Sequence, residues 1–198
     1  MNQDIRLCFI GDSFVNGTGD ETALGWAGRL AVAANAGGRQ VTYYNLGIRR
    51  NTSSDIVQRW EGECALRLPA ACDGRVVLSC GVNDTVLENG ALRVPVAQSC
   101  QNVQEILRKA SNYQVIMVGP PPVDEEAQNL RICALSQAYA ELAQGLGVPF
   151  IELYSQLVAD PLYRSEVASN DGAHPRSSGY RAMAEIIGTS PHWWFPWS

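Results

Sequence analysis

Short runs rich in β-branched and other apolar residues alternate along this chain with longer stretches of helical periodicity. A chain built that way buries its apolar faces best as a parallel sheet with helices on both sides. Residues 5–10, 41–46, 75–80, 114–118 and 148–152 read as strands, and residues 26–35, 53–68, 95–111, 125–146 and 177–187 as helices. Thr52 and Ser53 stand before one helix, Gly145 and Gly147 close another, and Ser177 follows Pro175 at the start of the last. These are ordinary helix start and stop signals. The expected architecture is a three-layer α/β/α, flavodoxin-like parallel five-stranded sheet in the order 2-1-3-4-5. No linker, repeat or low-complexity segment interrupts it, so residues 1–198 read as a single domain.

Composition narrows the function classes. A chain of 198 residues with 46% hydrophobic and 18% charged residues has the material for one self-sufficient core and is not a disordered chain. The net charge is −5 and the basic residues form no run longer than a pair such as Arg49-Arg50, so no nucleic acid partner is expected. The start, Met1-Asn2-Gln3-Asp4, is not basic, and the first apolar run is broken by Arg6 and stops at Gly11. That is short for a signal peptide, and no other run approaches membrane-spanning length. A cytoplasmic protein without stable membrane insertion is expected, and a homo-oligomer is compatible with the sequence. Six cysteines lack Cys-x-x-Cys spacing and read as reduced, structural thiols, with a Cys64–Cys72 bridge or a redox role as the alternatives. With two histidines and no Cys/His cluster, no metal is expected.

Chemistry enters behind the first strand. Gly11-Asp12-Ser13-Phe14 sets a hydroxyl at the carboxyl edge of the sheet, where open α/β folds bind and react. Near the other end, Asp171-Gly172-Ala173-His174-Pro175 brings a carboxylate and an imidazole three positions apart. Acyl transfer needs a hydroxyl nucleophile, a base for its proton and a group that orients the base. Ser13, His174 and Asp171 supply them. His192, the competing base, lies among tryptophans with no carboxylate near it in sequence.

Two further segments fall behind strands two and three: Asn45-Leu46-Gly47 and Gly81-Val82-Asn83-Asp84. Ser13, Gly47, Asn83 and His174, in that order, resemble the four blocks of the GDSL, or SGNH, hydrolase family over nearly the whole chain. The resemblance implies an esterase or lipase-type serine hydrolase that uses no cofactor and acts on a small-molecule ester. It also implies an oxyanion hole made by the N–H groups of Ser13 and Gly47 and the side-chain amide of Asn83. An acyl or acetyl transferase would use the same intermediate.

Departures and rivals bear on the same residues. The serine does not sit in Gly-x-Ser-x-Gly, because position 15 is Val15, so the strained elbow of α/β-hydrolases is absent. Phe14 stands where the family name has leucine, and Arg50 where relatives often carry a small residue. Arg49 and Arg50 suit a phosphate or carboxylate on the substrate; the plainer alternative is surface arginines paired with acids such as Asp55 or Glu61. The loop at 11–19, rich in glycine and hydroxyls, also admits a nucleotide- or flavin-binding module, although no Walker lysine or Gly-x-Gly-x-x-Gly supports it. A catalytically silent relative acting as a binding module is the third reading. Gly119-Pro120-Pro121-Pro122 reads as a stiff pocket wall. The tail at 189–198, with Trp193, Trp194 and Trp197, reads as an aromatic segment buried on the domain or a partner, with an acyl-pocket or membrane role as alternatives. Substrate choice is expected to lie in the loops near 17–24, 49–54, 87–94 and 120–126.

Overall fold

In the computed structural model, which describes residues 4–197, the strand alternation sorts the core into two layers. Strand β1 (Ile5–Gly11) is buried at every position except Arg6. Leu7 and Phe9 point to one face of the sheet, and Cys8 and Ile10 to the other. The first face packs against α2 (Gly25–Ala36) and α8 (Ser177–Thr189), through Trp26, Leu30, Tyr180 and Met183. The second packs against α3 (Ser53–Ala65), α4 (Val96–Lys109) and α5 (Glu126–Gly145), through Trp60, Ile106 and Tyr139. Period-two strands between period-3.6 helices leave no other economical burial.

The other strands of this sheet are β2 (Val41–Gly47), β3 (Asp73–Ser79), β6 (Gln114–Val118) and β7 (Phe150–Ile151). The parallel sheet runs β2-β1-β3-β6-β7, which is the expected 2-1-3-4-5. The last strand is shorter than expected. Pro149 has no N–H to give, so only its carbonyl joins the ladder, accepting from Met117 N–H at 2.9 Å.

Among the described residues, five strands and α-helices go beyond the expected ten. A two-stranded hairpin, β4 (Leu87–Glu88) and β5 (Ala91–Leu92), turns through Asn89 and Gly90 at φ 53° and 80°. Both residues being left-handed is the mark of the two-residue hairpin turn that Asn-Gly favours. Short helices α1 (Ser13–Asn16), α6 (Tyr154–Val158) and α7 (Pro161–Ser169) also form. Asp160 caps α7 by accepting Leu162 N–H at 2.8 Å, with Pro161 at the first helical position.

The tail closes the first layer, with Trp193 and Phe195 only 8% and 6% exposed. The Arg75 guanidinium lies over the rings of Trp194 and Phe195, 5.3 Å and 4.9 Å from their centroids. All six cysteines are free, and Cys8, Cys64 and Cys80 are buried. Among the described residues no helix is long and apolar enough to cross a membrane.

Candidate active site

The sheet register sets three strand ends level, pairing Gly11 with Gly47 on one side and with Ser79 on the other. The segments that follow therefore leave one edge together. Gly11 and Gly47 are both required by crowding there: a Cβ on Gly11 would stand 2.1 Å from Ser79 O, and one on Gly47 2.2 Å from Asn16 N. Past Gly11 the chain turns at once into α1, because Asp12 caps it by accepting Phe14 N–H at 2.9 Å. Phe14 and Val15 sink into the core and anchor the turn. Ser13 thus occupies the first helical position, where a backbone N–H has no intrahelical partner.

His174 arrives on the loop between α7 and α8. Asp171 shapes that loop, its Oδ1 accepting Ala173 N–H at 3.0 Å and His174 N–H at 2.8 Å. Its Oδ2 lies 2.7 Å from His174 Nδ1, and His174 Nε2 lies 2.7 Å from Ser13 Oγ. Burial alone would raise the Asp171 pKa, but its bonds from His174 and Ala173 outweigh it and hold the carboxyl below its ordinary range. An ionised carboxylate only accepts, so Nδ1 carries the imidazole proton and Nε2 faces the serine hydroxyl as an acceptor. The Phe14 ring, 4.8 Å from the imidazole, packs on the base.

Asn83 lies on a single 3-10 turn, Asn83–Thr85, just beyond β3. Its Nδ2 donates to Asp12 Oδ2 at 3.3 Å and to Asn51 O at 3.1 Å. Behind it Asp84 is buried, accepting Ser53 N–H at 2.8 Å and the Ser99 hydroxyl. Burial pushes both acids up against their hydrogen bonds, Asp12 to about 7.

Ser13, Asn83, Asp171 and His174 line one cleft of about 520 Å³. Its apolar wall is Phe14, Val82, Val86 and Val123. Val123 ends the proline-rich segment and is pinned at both backbone groups by the Asn129 amide, at 2.8 Å and 2.7 Å.

The structure does not bring the other three sequence candidates into that cleft. Gly47, expected as an oxyanion donor, ends β2 with its N–H donating to Asn45 Oδ1 at 3.1 Å. Arg49 and Arg50 are exposed and do not line the cleft, whose acidic members are Asp124, Glu125 and Asp171. The Arg50 guanidinium pairs with Glu88 at 3.7 Å, rather than with Asp55 or Glu61. Asp55 instead completes a capping box with Thr52, and Glu61 lies 3.8 Å from Lys109 Nζ. His192 lies exposed in the tail.

Two arginines near the site escaped the sequence reading. Arg59 on α3 donates to Gly11 O at 2.8 Å, Leu46 O at 3.0 Å and Asn51 Oδ1 at 2.7 Å, closing the carbonyls that end β1 and β2. Arg93, next to the hairpin, donates to Asn83 Oδ1 at 3.4 Å and Arg50 O at 3.0 Å. The Asn-Gly pair at 89–90 was the one sequence signal that points to the second.

Residues 9–182 match the sequence profile of the GDSL-like lipase/acylhydrolase family. The chain belongs to that family. As a GDSL-like hydrolase it also shares its fold with solved structures. A lipase/acylhydrolase from Enterococcus faecalis is 25% identical with a TM-score of 0.77, over 92% of this chain and 93% of that one. Axe2, an acetylxylan esterase from Geobacillus stearothermophilus, is 19% identical with a TM-score of 0.75, over 94% of each chain. The acetyl xylan esterase AlAXEase is 22% identical with a TM-score of 0.76, over 92% of this chain and 98% of that one. No curated protein sequence matches. Membership makes this GDSL-like protein an ester-bond hydrolase, with the serine nucleophile and oxyanion hole typical of its family.

Proposed function

We propose that this protein hydrolyses small carboxylic esters through an acyl-enzyme on Ser13. The observation that carries the reading is the unbroken relay from Asp171 through His174 to Ser13, with both imidazole nitrogens at 2.7 Å from their partners. As the Ser13 oxygen attacks the ester carbonyl, its proton passes to His174 Nε2. Asp171 keeps the imidazole in the right tautomer and stabilises the imidazolium. The same proton then leaves with the alcohol, and water activated by His174 releases the acid.

The tetrahedral oxyanion needs donors already in place. Ser13 N–H and Asn83 Nδ2 are the pair assigned here. In the free enzyme one Asn83 hydrogen is directed at Asp12 Oδ2 over 3.3 Å, and the oxyanion takes its place. The cleft wall of Phe14 and three valines suits a short acyl group such as acetyl or butyryl.

Labelling with a fluorophosphonate and turnover of p-nitrophenyl acetate, butyrate and octanoate test the reading. Ser13→Ala and His174→Ala are each expected to abolish labelling and to lower kcat about 10⁴-fold or more. Acetate and butyrate should be turned over faster than octanoate. Labelling that survives Ser13→Ala would overturn the acyl-enzyme assignment.

A further inference from the structure

Asn83 can serve an oxyanion only if its amide nitrogen, and not its oxygen, faces the site, and the two ends of an amide differ only in what surrounds them. Arg93 faces the oxygen end. Its Nη1 donates to Asn83 Oδ1 at 3.4 Å, its Nη2 donates to Arg50 O at 3.0 Å, and its Nε stands 3.3 Å from Glu88 Oε1. A guanidinium has donors and no acceptor, so a flipped Asn83 would set its NH₂ against Arg93 and its oxygen against the Asn51 carbonyl. The Arg93 side chain is only 17% exposed and is not part of the cleft wall, so it acts without touching substrate.

The same guanidinium braces a strained turn. Arg50 is held at φ 66°, a conformation that favours glycine, and its carbonyl is one of the acceptors Arg93 holds. One fork thus ties the hairpin, the turn at residue 50 and the Asn83 amide together. Its charge on the oxygen side also polarises the amide, making Nδ2–H a stronger donor where negative charge develops.

We propose that Arg93 is a positioning residue of the oxyanion site, which orients and polarises the Asn83 amide from outside the cleft. This rests on the acyl-enzyme reading with Asn83 as a donor. The test is a double-mutant cycle on p-nitrophenyl acetate hydrolysis, comparing Arg93→Ala, Asn83→Ala and the double variant, with Ser13→Ala as control. Arg93→Ala is expected to lower kcat about 10-fold with KM within twofold, and Asn83→Ala to lower kcat about 10²-fold. Because Arg93 acts through Asn83, adding Arg93→Ala to Asn83→Ala should cost no more than about a further twofold.

An Arg93→Ala effect that persists in full in the Asn83→Ala background would overturn the proposal. So would an unchanged kcat, or a rise in KM alone, which would make Arg93 a substrate contact. Should Arg93→Ala fail to fold, Arg93→Lys goes through the same cycle: lysine keeps the charge but loses the fork, and its loss of kcat must likewise vanish without Asn83. Full hydrolysis by Ser13→Ala would instead overturn the acyl-enzyme reading itself, whatever the cycle returns.

Discussion

A carboxyl group buried beside the reacting serine is expensive, and Asp12 carries that cost for the sake of the turn it caps. Burial raises its pKa from 3.8 to about 7, so the native state holds the proton more tightly than the unfolded chain. The contribution to stability is therefore greatest below pH 4 and is lost as the pH rises toward 7, amounting to about 4 kcal/mol at most. Asp12→Asn keeps the cap but cannot ionise, and its NH₂ end meets the Asn83 donors. Its stability relative to wild type should be clearly higher at pH 8 than at pH 5 in urea titrations, with kcat lowered about tenfold. Equal differences at the two pH values would contradict the raised pKa. Asp171 is shifted the other way, and Asp171→Asn removes the acceptor that fixes the His174 tautomer. Its kcat on p-nitrophenyl acetate should fall about 10²- to 10⁴-fold with little change in KM.

Elements meet at charged joints. Asp20, 8% exposed, accepts Thr22 N–H at 2.9 Å and Gly25 N–H at 2.8 Å and pairs with Arg29. Arg29 in turn donates to Ser177 Oγ at 2.9 Å, joining the starts of α2 and α8. Burial opposes ionisation of Asp20, yet Arg29 and these donors win and bring its pKa down to about 2. The stabilisation is present above pH 4 and lost as the pH falls through 2. Asp20→Asn should thus cost about 2 kcal/mol at pH 7 and almost nothing near pH 2, as measured by thermal unfolding across that range. At the entry of α3, Thr52 and Asp55 satisfy each other's backbone donors in a capping box. Thr52→Ala should cost about 1 kcal/mol. These joints use neighbours in sequence, which is why Thr52 was legible as a cap. The hairpin at 87–92 is not legible in the same way, because strands of two residues carry no period to read and only the Asn89-Gly90 pair signals it.

For the molecule as a whole, the aromatic tail belongs to the core that supports the sheet and lies apart from the cleft. Trp193 sits 6.4 Å from the Phe9 ring and 5.7 Å from Phe195, centroid to centroid. Trp193→Ala should cost about 3–5 kcal/mol of stability while leaving the KM for p-nitrophenyl acetate unchanged. Strand order, layer pattern and the edge from which Ser13, Asn83 and His174 leave were legible from sequence, because apolar period and strand-end glycines are local properties. Which donors remain free was not legible, because a hydrogen bond is spent by whatever partner folding brings near. Asn45 Oδ1 accepts Gly47 N–H at the end of β2, and Arg49 and Arg50 are turned to solvent. Arg93 reaches the Asn83 amide through a hairpin that no period announced. By itself, the sequence determined the layers and the edge that holds the chemistry, since burial follows patterning. Only the tertiary structure decided which polar groups at that edge are free to act, since each is satisfied by contacts between residues far apart in the chain.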